Sequence, residues 1–168
     1  FDVIGDIVLS AASQQYGGFT VPSVDLLLEP YAERSYKMLT EKYTRLGLDA
    51  DTVEKEVMAD ILNDFEQGFQ GWEYKFNTVA SSRGDYPFIT MTMGTGTGRF
   101  AKLASITMLN VRRKGQGKKG QKKPVLFPKI VFLYDENLHG PGKLLEDVFE
   151  AGILCSSRAM YPDWLSLT

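Results

Sequence analysis

The 168-residue sequence predicts an α/β fold, a helical lead-in followed by β-α-β-α with parallel strands. Two observations carry that prediction. Apolar residues recur at helical spacing through roughly the first 70 residues. Beyond them, short β-prone runs alternate with helical ones, and strand–helix–strand order implies right-handed crossovers between parallel strands.

The elements follow in order. Val3, Ile4, Ile7, Val8, Ala11 and Ala12 share one helical face, and Gly17-Gly18 stops that helix. Pro22 suits the first turn of a second helix, with Val24, Leu27, Leu28, Tyr31 and Met38 on its apolar side. Pro30 predicts a kink or break within it, and Gly47 its end. Asp51 and Glu54 resemble a capping box that opens a third helix carrying Val53, Val57, Ile61, Leu62 and Phe65. Trp72–Val79 is aromatic and β-prone, and Pro87–Met93 alternates Phe88, Thr90 and Thr92 against Ile89, Met91 and Met93. Gly94–Gly98 reads as a turn. The next helix, with Phe100, Leu103, Ile106, Thr107 and Leu109, ends in Arg112, Arg113 and Lys114, charges that favour a helix C-terminus. Val125–Tyr134 is a nearly continuous apolar run, expected of a strand covered on both faces. Gly142–Leu154 returns to helix through Leu144, Leu145, Val148, Phe149 and Ile153. The sequence reads as a single domain over 1–168, helical over 1–70 and β-α-β-α over 71–168, with no internal repeat.

Composition narrows the function classes. Hydrophobic residues make up 43% and charged residues 24%, ordinary values for a soluble globular chain. A formal net charge of −2 gives no global reason to expect nucleic acid or membrane as partner. A lone cysteine, Cys155, allows no internal disulfide and fits a reducing, cytoplasmic setting. The N-terminus has no signal-peptide pattern, and no apolar run approaches the roughly 20 residues of a membrane span. Both ends are abrupt and apolar, which leads us to expect a longer parent chain.

Several motifs carry possible chemistry. The run from Lys114 to Lys123 is basic and glycine-rich, so it could grip phosphates. It has no interleaved aromatics and joins a helix to a strand, which favours a solvated, mobile connection. Gly115, Gly117 and Gly120 match the dinucleotide fingerprint spacing, but the fingerprint must follow a strand and open a helix. Gly94-Thr95-Gly96-Thr97-Gly98 has that context, without the lysine of a Walker loop. A phosphate contact and a ligand-free turn both stay open there. Asn77 to Phe88 is dense in hydrogen-bonding side chains, suited either to a nucleotide or to an ordinary polar turn. Cys155 reads as core filling, and a single His139 in a turn argues against a zinc site or a catalytic triad.

Four segments together resemble a known family. Gln14-Gln15-Tyr16-Gly17-Gly18-Phe19-Thr20-Val21-Pro22, with Asp25 and Glu29-Pro30-Tyr31, looks like the junction of two interface helices in class III (anaerobic) ribonucleoside-triphosphate reductases. Phe76-Asn77-Thr78, Ser82-Arg83-Gly84 and Pro87-Phe88-Ile89-Thr90 are similar to a substrate-barrel strand of that family. Phe127–Asp135 resembles the next strand, and Cys155–Asp163 the approach to the strand before the finger loop. The four occur in family order with compatible gaps across essentially the whole chain.

The resemblance implies part of a ten-stranded α/β barrel and a parent oxidoreductase that makes deoxyribonucleotides from ribonucleoside triphosphates. It implies a glycyl radical installed by an S-adenosylmethionine and iron–sulfur activase, a thiyl radical on a finger-loop cysteine, and a structural zinc. This sequence has neither the glycyl motif nor the zinc cysteine pairs, and Cys155 lacks the thiyl context, so no catalytic or metal residue is assigned. Carried over are Asn77, Thr78, Ser81, Ser82 and Arg83 toward substrate, and Gln14, Gln15 and Tyr16 toward a nucleotide effector at a homodimer interface. The isolated piece is expected to be inactive. Its unpaired strand edges should expose apolar surface and promote association. The competing class is a stand-alone nucleotide- or nucleic-acid-binding module that uses the basic loop.

Overall fold

The computed structural model describes residues 1–80, 84–86, 88–118 and 120–168. Among them α1 (Asp2–Gln14) leads into β1 (Phe19–Val21), followed by α2 (Val24–Arg45) and α3 (Ala50–Thr78). Then come β2 (Ile89–Met93), α4 (Arg99–Lys114), β3 (Lys129–Tyr134), α5 (Glu146–Ala159) and β4 (Asp163–Ser166). The strands form one parallel sheet in the order β1-β2-β3-β4. Every step goes the same way, so right-handed crossovers leave the connecting helices on one face. The burial pattern agrees: Ile89, Met91, Met93, Ile130 and Phe132 are fully covered, while Thr90, Thr92, Lys129 and Val131 alternate with them and stay partly open. One-sided winding belongs to a barrel wall, whereas a doubly wound sheet carries helices on both faces. The predicted α/β class therefore holds, with a helical N-terminal region and a parallel sheet compatible with part of a larger α/β barrel.

The core is organised along α3. Val53, Val57, Ile61, Phe65, Phe69, Trp72 and Phe76 recur every three or four residues and are all buried. Each such side chain contributes about 1.5–3 kcal/mol by leaving water. α1 docks on this stripe through Phe1, whose ring lies 4.8 Å from Trp72 and whose carbonyl accepts the Trp72 indole N–H at 2.9 Å. Gly68 makes the contact possible, because a Cβ there would stand 2.3 Å from the Phe1 ring.

Several local expectations are corrected. Trp72–Val79 is no strand: α3 runs on to Thr78, because Trp72 and Phe76 continue the buried stripe and packing overrides β-propensity. The α3 cap is Asp49, which accepts from the Thr52 N–H at 3.0 Å, and not Asp51. Phe19–Val21 forms an unforeseen strand, so Pro22 lies before α2 rather than in its first turn. α2 passes through Pro30 without a break, and its buried side is Val24, Asp25, Leu28 and Ala32, while Leu27, Tyr31 and Met38 are exposed. Leu62 is also exposed. β3 begins at Lys129 and is fully covered on one face only. α5 begins at Glu146 rather than Gly142, and Leu144 and Ile153 face outward. β4 adds a fourth strand at the sheet edge, with Trp164 and Leu165 exposed.

α4 ends in Arg112, Arg113 and Lys114 as the sequence predicts. Arg112 adds a feature the sequence did not show: it is 1% exposed and paired with Glu73, itself 4% exposed. The Arg112 Nε donates to Glu73 Oε1 at 2.7 Å and its Nη2 to the Pro128 carbonyl at 2.6 Å. The second Glu73 oxygen accepts from Gln116 Nε2 at 2.8 Å, and the guanidinium lies 5.2 Å from the Tyr161 ring centre. Breaking a buried pair strands a charge, whereas replacing both partners removes the problem. Glu73→Leu should therefore cost about 3–5 kcal/mol in urea unfolding, and adding Arg112→Met should recover most of that loss. A single-variant cost below about 1 kcal/mol would contradict a buried, coupled pair.

Candidate functional site

Of the predicted site residues, Gln14, Gln15, Tyr16, Asn77 and Thr78 lie near the N-terminal edge of the parallel sheet. α1 ends there, with the Gln15 N–H bonded to the Ala12 carbonyl and Gln14, Gln15 and Tyr16 exposed. β1 starts two residues beyond Gly17, and the Phe19 N–H donates to the Phe88 carbonyl at 2.9 Å. Gly18 passes so close that a Cβ would meet that carbonyl at 3.0 Å. The Phe88 ring packs edge-on against Phe127 at 5.2 Å. Asn77 completes the chain of contacts: its Nδ2 donates to the Phe127 carbonyl at 2.6 Å, and the Phe127 N–H donates to its Oδ1 at 3.2 Å. The segments holding Gln14–Tyr16 and Asn77–Thr78 thus meet through Phe88 and Phe127.

Asn77 spends its amide on the backbone, including a bond to its own helix at the Glu73 carbonyl. Its contribution here is to fix where the turn after α3 begins. Thr78 is exposed and donates to the Tyr74 carbonyl at 2.7 Å. Ser81, Ser82 and Arg83 lie outside the described residues.

The opposite, C-terminal edge is where open α/β sheets usually bind ligands. Here it is filled from within. Asp25 Oδ2 accepts the Gly94 and Gly96 N–H groups at 3.0 and 2.9 Å, with Ser105 Oγ at 3.3 Å. The Asp25 carboxylate thus takes two of the loop's N–H groups for itself. Glu29, one turn further along α2, closes on Gly98, where a Cβ would overlap its carboxylate. His139 locks the same loop: its Nε2 donates to the Gly94 carbonyl at 2.7 Å, and its Nδ1 lies 3.0 Å from both the N–H and the carbonyl oxygen of Asp135. Asp25, Glu73 and His139 were not among the residues singled out as site candidates. Asp25 stood only within the family resemblance, His139 only as a lone histidine in a turn, and Glu73 only as a polar residue inside an aromatic segment.

On the open face of the sheet Lys129 pairs with Asp163 at 2.7 Å, and that carboxylate holds the ammonium above the usual lysine range. Gln116 and Lys123 exchange backbone hydrogen bonds at 2.9 and 2.8 Å, so the basic run folds back on itself as a short hairpin. Among the described residues no group of three or more His, Cys, Asp or Glu side chains could hold a metal ion. None of the described helices is long and apolar enough to cross a membrane.

The family profile described as anaerobic ribonucleoside-triphosphate reductase matches residues 1–168. An anaerobic ribonucleoside-triphosphate reductase of Enterobacteria phage T4 is 36% identical over 98% of this chain and 27% of its own length. Those of Haemophilus influenzae and Escherichia coli are 35% and 31% identical over 98% of this chain and 23% of theirs. The chain thus spans about a quarter of the length of the curated relatives it matches.

Cys155 is fully buried on α5, and burial pushes its thiol up to about 11, with nearby Arg112 and Arg113 only partly opposing the shift. The folded state therefore holds the proton more tightly than the unfolded state. The resulting stability is present below about pH 9 and is lost as the pH rises toward 11. Relative to Cys155→Ala, the unaltered chain should lose roughly 2–3 kcal/mol over that interval in denaturant titrations. A thiol reagent should label Cys155 at pH 8 only as the chain unfolds; rapid labelling of the folded chain would contradict this.

Proposed function

Because the chain belongs to the anaerobic ribonucleoside-triphosphate reductase family, we propose that it is part of the catalytic barrel of an enzyme that converts ribonucleoside triphosphates to deoxyribonucleotides. The observation that carries this reading is the meeting of the Gln14–Tyr16 and Asn77–Thr78 segments at one sheet edge, joined through Phe88 and Phe127. In the proposal, Ser81, Ser82 and Arg83 contact substrate, with Thr78 beside them and Asn77 setting the base of the turn. Gln14, Gln15 and Tyr16 contact a nucleotide effector. The uncovered sheet face, with Thr90, Thr92 and the Lys129–Asp163 pair, is the lumen side.

No catalytic residue is proposed within this chain. The thiol of Cys155 is buried and held protonated, which suits packing rather than radical transfer. One cysteine cannot supply a cysteine-rich zinc site. The glycyl radical, its S-adenosylmethionine-dependent activase and the zinc are accordingly assigned to segments and partners outside these residues. A homodimer formed through α1 and α2 is part of the same proposal, supported by exposed Val3, Ile7, Tyr31 and Met38 on those helices.

Arg83 gives the direct test. Charge-assisted hydrogen bonds to phosphate are worth about 1.5–3 kcal/mol. In the reductase chain carrying these residues, Arg83→Ala should weaken substrate or effector binding roughly ten- to a hundred-fold, measured as KM and effector Kd. Arg83→Lys should recover part of the loss. Unchanged turnover and effector binding in Arg83→Ala would overturn the assignment.

A further inference from the structure

Charge is sharply segregated along this chain. Between Asp85 and Asp135 there is no Asp or Glu, yet ten of the 19 Lys and Arg residues lie there. The exposed part of that excess is concentrated in the hairpin after α4. Gln116 and Lys123 pair antiparallel across it, and the Gln121 N–H closes its turn on the Lys118 carbonyl at 2.9 Å. Gly115 permits the close crossing: its φ is +70°, and a Cβ there would lie 2.6 Å from the Lys123 carbonyl oxygen. Gln116 ties the base to buried Glu73, one helical turn before Asn77. The hairpin is therefore built onto the same sheet edge as the turn that follows Asn77. Lys118, Lys122 and Lys123 are exposed, and none of them forms an ion pair among the described residues, whereas neighbouring Lys114 is paired with Glu66.

We propose that this hairpin is a phosphate-binding arm, in which Lys118, Lys122 and Lys123 take the polyphosphate of a nucleoside triphosphate at the N-terminal edge of the sheet. The arm deepens the nucleotide reading above and rests on it for the identity of the ligand. Three unpaired ammonium groups around one tight turn match the compact charge of a triphosphate. No aromatic residue stands between Lys114 and Lys123, so the arm lacks the stacking platforms that single-stranded nucleic acid requires. Base and sugar are left to other residues. On the opposite edge the Gly94 and Gly96 N–H donors are already taken by Asp25.

Calorimetric titration of this chain with inorganic tripolyphosphate tests the arm. We expect binding that weakens as salt rises, and a loss of roughly ten-fold or more in the triple variant Lys118→Gln/Lys122→Gln/Lys123→Gln. Lys37→Gln/Lys55→Gln, which removes two exposed charges from α2 and α3, should stay within about two-fold. A thermal midpoint shared by all three proteins verifies that the fold is intact. No binding by the unaltered chain, equal binding by the triple variant, or an equal loss in the control pair would each overturn the proposal. An oligodeoxythymidine binding more tightly per phosphate than tripolyphosphate would overturn the nucleotide assignment in favour of nucleic acid. The probe has neither base nor sugar, so failure here leaves the Arg83 test untouched, and failure there leaves this one standing.

Discussion

The buried Glu73–Arg112 pair ties α3, α4, the start of β3 and the basic hairpin together. Arg112 comes from the last turn of α4 and Glu73 from the last turns of α3, and the pair also takes the Pro128 carbonyl and the Gln116 amide. A desolvated ion pair contributes little net stability against an apolar replacement, so its value lies in what it positions. It fixes the ends of two helices at the point where β3 begins and the basic hairpin departs. One guanidinium nitrogen, Nη1, still lacks a partner, so the site is not optimised for stability alone.

Around that anchor the two edges of the sheet divide their work. At the C-terminal edge, Asp25 takes the Gly94 and Gly96 N–H groups, His139 bonds the Gly94 carbonyl, and Glu29 packs against Gly98. At the N-terminal edge, Gln14, Gln15, Tyr16 and Thr78 are exposed, and the segments that carry them meet through Phe88 and Phe127. A one-sided parallel sheet makes this division possible, because every helix returns the chain to the same edge.

The period of apolar residues revealed the helices and the central strands, since burial on one face imposes it directly. It could not reveal β1, three residues long between two helices, nor the extension of α3 through Trp72 and Phe76, where aromatic residues mimic a strand. The candidate site was legible only through ordered motifs. Asn77 was carried over with them toward substrate, while in this structure its amide bonds the backbone of Phe127. Arg112 sits at a helix end, as its basic run suggested, but its buried partner stands 39 residues away. Long-range pairing of polar groups leaves no periodic trace in a single sequence.

The central claim is that nucleotides engage the N-terminal edge of this sheet, and hydrogen–deuterium exchange on the reductase chain carrying these residues tests it most directly. With a ribonucleoside triphosphate added, protection should rise from Ala12 to Thr20, from Asn77 to Tyr86 and from Gly115 to Pro128, and stay unchanged from Gly94 to Gly98. Protection of Gly94–Gly98 and of the loop around His139, with none at the N-terminal edge, would contradict the account.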